Sequence, residues 1–123
     1  MTLTIDTTGK GLAMVLKDYQ EEALRFIWEN KGEGASSREV WNHVNEAMKI
    51  KTISRASIIN FLNAMVDEGV LGYTEITGKG GHRRIYSTKL DEAGFKKYVA
   101  ETILKNLLRD FPSETKEVLK NFR

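Results

Sequence analysis

The sequence predicts a mainly α fold with a small β-hairpin, an α+β arrangement, on three observations. Apolar residues recur at three- and four-residue spacing in three successive segments between residues 16 and 68. Residues 72–88 alternate instead, and turn at Thr77-Gly-Lys-Gly-Gly-His82. Residues 91–111 then return to the helical period. Helix, helix, helix, strand, loop, strand is the order of a winged helix-turn-helix, here followed by C-terminal helices expected to dimerise.

With 123 residues, 41% of them hydrophobic and 29% charged, one compact domain with accessory helices is the expected scale. Three segments follow: an N-terminal arm (1–15), a winged-helix unit (16–89) and C-terminal dimerisation helices (90–123). No apolar run reaches the roughly 20 residues of a membrane span, and the N-terminus lacks a secretory layout, so a soluble cytoplasmic protein without a membrane partner is expected. The absence of cysteine removes disulfides and thiol chemistry. The net charge is only +2, but residues 49–89 hold seven basic and three acidic side chains, against five and eight in residues 1–48. A local cationic excess beside a helix and a hairpin is the electrostatic footprint of a nucleic-acid surface.

The arm has no sustained periodicity and is expected to be extended around Leu3 and Ile5. The first helix starts near Leu16 and buries Tyr19, Ala23, Leu24, Ile27 and Trp28; Asn30-Lys-Gly-Glu-Gly34 ends it. Ser36 followed by Glu39 predicts a capping box for a second helix that turns Val40, Trp41, Val44, Ala47 and Met48 inward. Ser54 caps the third helix. At about 100° per residue, Ile58, Phe61, Leu62, Met65 and Val66 face the core. Ala56, Ser57, Asn60, Asn63, Ala64 and Asp67 face outward. Gly69 stops the helix, and Val70 and Leu71 pack back. Strands at about 72–76 and 83–88 flank the glycine-rich loop. Its Gly-Lys-Gly-Gly run lacks the spacing of a P-loop and opens no helix.

A small, hydrogen-bonding outer face suits close approach to base edges, since asparagine pairs with adenine and serine donates or accepts. Ala56, Ser57, Asn60 and Asn63 are the expected base-reading set. Lys49, Lys51, Arg55, Lys79, His82, Arg83 and Arg84 are expected to hold phosphates. Arg55 points toward the buried side by angle but sits in the first turn, where it can swing out. Strand alternation separates Ile85 from Arg84 and Tyr86, so Arg83 and Arg84 cannot both be buried.

In residues 91–111, Phe95, Val99, Ile103 and Leu107 form one stripe, which Leu104, Leu108 and Phe111 widen beyond the needs of one contact surface. That width predicts a homodimer. Pro112 ends this helix, Ser113 is a cap candidate for the next, and Val118, Leu119 and Phe122 extend the interface.

Residues 16–111 resemble the penicillinase-repressor family of BlaI/MecI-like winged-helix repressors. The shared motifs are Leu24-Arg-Phe-Ile-Trp-Glu-Asn-Lys-Gly-Glu, Ser37-Arg-Glu-Val, Ile59-Asn-Phe-Leu-Asn-Ala-Met-Val-Asp-Glu-Gly-Val-Leu and Arg84-Ile-Tyr-Ser. The resemblance implies a homodimeric repressor of transcription on a palindromic operator, with the third helix in the major groove of double-stranded DNA. It transfers no inducer. Cysteine pairs of copper-responsive members are absent here, and the Asn-Phe bond cleaved in antibiotic-responsive members appears only at Asn121-Phe122, close to the end. A small-molecule effector is not identified.

Two other classes compete. An enzyme is disfavoured because two histidines, His43 and His82, and no cysteine cannot build a histidine-rich metal site or a Cys/His nucleophile, so neither metal nor cofactor is expected. His43 reads as a surface or half-buried helix residue. A winged helix serving as a protein–protein interaction module in a transcription or chromatin assembly is the nearer alternative, but the basic hairpin and neutral polar third helix favour DNA.

Overall fold

The structure, a computed structural model, describes residues 4–30, 32–49, 51–78 and 81–122. Its regular elements are α1 (Asp18–Glu29), β1 (Ala35–Ser36), α2 (Ser37–Ala47), α3 (Arg55–Asp67), β2 (Leu71–Gly78), β3 (Gly81–Thr88), α4 (Glu92–Asp110) and α5 (Pro112–Leu119). The fold is a winged helix-turn-helix carrying a three-stranded antiparallel sheet of order β1-β3-β2. Among the described residues, no helix is long and apolar enough to cross a membrane.

One core runs through the molecule. Ala23, Leu24 and Ile27 of α1, Val40 and Val44 of α2, Ile58, Leu62 and Met65 of α3, Val70, and Phe95 of α4 are all fully enclosed. Each large aliphatic or aromatic group so buried contributes roughly 1.5–3 kcal/mol, which is why the apolar spacing fixes the helix faces. Two expectations shift at the edges. Ala47 is exposed at the last position of α2, whereas Met48, its C-cap, packs against the core as expected. The segment expected as an arm is partly core: a 3-10 turn at Gly11–Met14 buries Leu12, and Val15 and Leu16 follow it inward. Asp6 N–H donates to the Met14 carbonyl at 2.7 Å, folding residues 6–14 into a closed loop, while Ile5 stays half exposed. Leu3 lies outside the described residues.

The predicted local stops and starts are present. Ser36 Oγ accepts from Glu39 N–H at 3.2 Å while Glu39 Oε1 accepts from Ser36 N–H at 3.0 Å. These bonds satisfy two backbone donors that the start of α2 leaves unpaired. Ser54 Oγ accepts from Ser57 N–H at 3.1 Å, and Gly69 adopts φ +80 just past α3. Asp91 caps α4 through Gly94 N–H at 2.7 Å. Ser113 is no cap: Phe111 ends α4 and precedes α5, with Pro112 in the first turn, where its missing N–H costs nothing.

The hairpin is longer than alternation predicted. β2 and β3 pair from Leu71 opposite Thr88 to Gly78 opposite Gly81, so only positions 79 and 80 lie beyond the last pair. The sequence reading also missed β1. Ala35 and Ser36 pair with Tyr86 and Ile85, and so bring the start of α2 alongside β3. Gly34 makes this approach possible: at φ +71, an added Cβ would lie 2.6 Å from the Tyr86 carbonyl oxygen.

α4 is rooted on α1. Trp28 Nε1 donates to the Leu90 carbonyl at 3.0 Å, and Arg25 bridges Glu21 and Glu92, both at 2.9 Å. The Lys96 ammonium holds the Glu92 carboxyl below its ordinary pKa, opposed by desolvation and helped by Arg25. Phe95, expected in the partner-facing stripe, is instead completely buried, with its ring 6.0 Å from that of Trp28. It belongs to the core because α4 lies on α1 for its first turns. Val99 packs against the same core, and Ile103 and Leu108 are half buried.

Candidate nucleic-acid interface

Two side chains of α2 set the position of α3. Asn45 Oδ1 accepts from Ile53 N–H at 2.8 Å, and Asn45 Nδ2 and Trp41 Nε1 both donate to the Ile53 carbonyl, at 3.3 and 2.8 Å. Buried Ile53 is thereby pinned through both backbone groups one residue before the α3 cap. Sequence periodicity assigned Trp41 to packing and gave Asn45 no role. A polar side chain eight residues ahead of its partner carries no periodic signal.

Along α3, Arg55, Ala56, Asn60 and Asp67 are exposed, and Ser57 and Asn63 are half exposed. Ser57 Oγ lies 2.9 Å from Ser54 Oγ, so its hydroxyl belongs to the cap as well as to the outer face. Asn60 has no side-chain partner among the described residues and faces solvent. Asn63 is different. Its Oδ1 accepts from the Tyr86 hydroxyl at 2.6 Å and from Arg84 Nη1 at 3.1 Å. The Arg84 guanidinium also lies over the Tyr73 ring, 4.0 Å from its centroid. Burial pushes the Tyr86 hydroxyl above its ordinary pKa, partly opposed by the neighbouring Arg84 charge. Arg84 is therefore engaged with the protein, through a cation–π contact and a hydrogen bond, and stands as a brace between α3 and the hairpin.

The remaining cations divide. Arg38, Arg55, Arg83 and His82 line one groove of about 440 Å³, with Ser37 at its head and Gly78 and Gly81 on the hairpin side. None of the three arginines has a carboxylate partner among the described residues. Arg55, whose angle suggested burial, is exposed there, and Arg83 is the member of the Arg83–Arg84 pair that remains available. Arg38 escaped the sequence reading because the β1–β3 pairing that carries it to the hairpin spans some fifty residues of chain. Lys49 and Lys51 do not join this groove; they line a separate depression with Asp18, Ala47 and Met48. Lys79 lies outside the described residues.

Unpaired guanidiniums around a concave surface favour an anion with several acceptor oxygens, because each planar fork can donate two parallel hydrogen bonds. The start of α2 lines the same groove through Ser36 and Ser37, where the positive end of the helix dipole favours an anion. Beside this groove, the exposed polar side of α3 offers small groups to a second surface.

A second exposed feature lies at the far end. α5 folds back on α4, where Thr115 Oγ1 donates to the Leu107 carbonyl at 3.1 Å. The notch between the helices has a volume of about 450 Å³ and is walled by Leu104, Leu107, Phe111, Val118 and Leu119. These residues are 36–57% exposed, and Phe122 beyond them reaches 79%.

No family model and no curated protein sequence matches the chain. The penicillinase-repressor resemblance accordingly stands on the motifs that suggested it. Among solved structures, the chain is similar to the ORC1 protein of Aeropyrum pernix in complex with DNA, with a TM-score of 0.56 and 17% sequence identity. The match covers 70% of this chain and 24% of that one, so the chain spans about a quarter of that protein's length. At this identity the likeness speaks for the architecture, and it agrees with the winged-helix fold described above.

Proposed function

We propose that the chain binds double-stranded DNA, with α3 in the major groove and the arginine groove on the flanking sugar–phosphate backbone. The observation that carries this reading is the convergence of Arg38, Arg55 and Arg83, all without carboxylate partners among the described residues, beside the exposed, neutral polar side of α3. Phosphates supply the countercharge that the protein does not, and base edges supply partners for Asn60 and Ser57. The likeness in fold to part of the ORC1 protein, whose structure is that of a complex with DNA, supports the same reading. This is a binding role, with no catalysis assigned.

The finer reading is a homodimeric repressor acting at a palindromic operator. Its dimer half rests on the apolar notch and on Phe111, Val118 and Phe122, which a second copy would cover. Residues 101–122 carry four basic and four acidic side chains, so a two-fold contact meets a fringe of balanced charge rather than one repelling sign. Its repressor half rests on the family resemblance. A salt series with random duplex is the direct test. DNA binding requires affinity that falls steeply and linearly on a log–log scale, whereas a protein adaptor shows no duplex affinity even in dilute buffer.

A further inference from the structure

We propose that Asn63 is a specificity-determining residue that reads a hydrogen-bond acceptor on a base edge, guanine O6 or N7 first of all, with a carboxamide whose oxygen is already occupied. This rests on the DNA-binding reading above and goes further, because it fixes which half of the side chain is presented.

The orientation of the amide follows from its partners. A guanidinium only donates, so the atom facing Arg84 Nη1 must be the carboxamide oxygen. The Tyr86 hydroxyl donates to the same oxygen, and its short 2.6 Å bond and the near-complete burial of Tyr86 leave the amide little freedom to turn. Arg84 is itself fixed over Tyr73. Asn63 Nδ2 has no hydrogen-bond partner among the described residues. Since no fully buried side-chain nitrogen or oxygen lacks a partner there, this amino group is not sealed off from solvent. It stands three residues beyond the exposed Asn60, on the same side of α3.

A free asparagine presents one donor and one acceptor, the pattern that pairs with adenine N7 and N6. Held as it is here, Asn63 presents only N–H. Adenine offers N7 but sets its N6 donors beside it, whereas guanine offers two acceptors side by side and thymine offers O4. Bracing alone does not account for the residue. An aspartate would hold Arg84 and Tyr86 with stronger, charge-assisted bonds, and what the carboxamide adds is the outward donor.

The test is selection from a randomised duplex library with the wild-type protein and with Asn63→Asp, followed by affinity measurements on the selected sites. The wild type should enrich a position for guanine, or for thymine as the lesser acceptor. Asn63→Asp should lose that preference by about fivefold or more at that position alone, the lower end of what a good base contact discriminates. Arg84→Met combined with Tyr86→Phe removes both donors from the oxygen and should admit adenine at the same position, which decides the matter if Asn63→Asp does not fold. An unchanged motif in both variants, or a wild-type motif with no position sensitive to Asn63, overturns the inference while leaving DNA binding intact. Failure of the wild type to bind any duplex removes the DNA reading itself and this inference with it.

Discussion

The Tyr86 hydroxyl and Asn63 Oδ1, 2.6 Å apart, join the hairpin to the exposed helix through a single carboxamide. Tyr86 is almost fully enclosed, so losing this bond should cost about 1 kcal/mol in Tyr86→Phe, read by chemical denaturation; the oxygen keeps Arg84 as a partner, which limits the loss.

The same tyrosine gives an alkaline signature. Burial raises its pKa in the folded state, so the unfolded chain gives up that proton first. Stability should be fully present below about pH 10 and be lost as pH rises through the folded value. Tyr98, raised by burial and by its bond to Glu68, acts in the same direction. Urea midpoints between pH 9 and 11 should fall less steeply in Tyr86→Phe than in the wild type. Equal slopes would mean that Tyr86 ionises equally well folded and unfolded.

Gly34→Ala should destabilise the protein by about 2 kcal/mol or more. The new side chain must accept a left-handed φ and meet the Tyr86 carbonyl oxygen at 2.6 Å, a backbone atom that cannot swing aside, as well as Ile85 Cγ2 at 2.9 Å. Because β1 brings the start of α2 to the hairpin, the variant should also weaken duplex binding by more than its stability loss explains, measured at a temperature where it remains folded.

Single alanine changes at Arg38, Arg55 and Arg83 should each lower the slope of log affinity against log salt by about 0.9, the value for one phosphate contact on duplex DNA. Lys49→Ala and Lys51→Ala, outside the groove, should change the slope less. If the lysines mattered and the arginines did not, the groove would not be the phosphate track.

Leu107→Glu with Phe111→Asp should convert the proposed dimer to a monomer in sedimentation equilibrium, with little change in the melting of the winged unit, since both side chains are exposed in the single chain. A wild type that sediments as a monomer at high concentration would exclude self-association through the notch.

Much of the architecture was legible because its determinants are local. Ser36 with Glu39, Ser54 and Gly69 act within four residues of the ends they mark, and the inner side of α3 follows from spacing alone. The site was legible in kind but less so in membership. Arg55 and Arg83, both singled out from the sequence, line one groove, but Arg38 joins them only through the β1–β3 pairing, which no local pattern encodes. Asn63 lies on the outer side by angle, and only the way the hairpin crosses α3 reveals that its oxygen is occupied. Phe95 shares its spacing with Leu107, and nothing periodic distinguishes the turn of α4 lying on α1 from the turn that projects beyond it.

The anchoring of α4 through Trp28 to the Leu90 carbonyl and through Arg25 to Glu92 gives this 19-residue helix, some 28 Å long at about 1.5 Å per residue, no slack at its base. It is a strut and not a tether. A push on its distal tip would tilt the winged unit as a whole, and in the proposed dimer two such struts joined at their tips would hold the two winged units at a set separation and bearing.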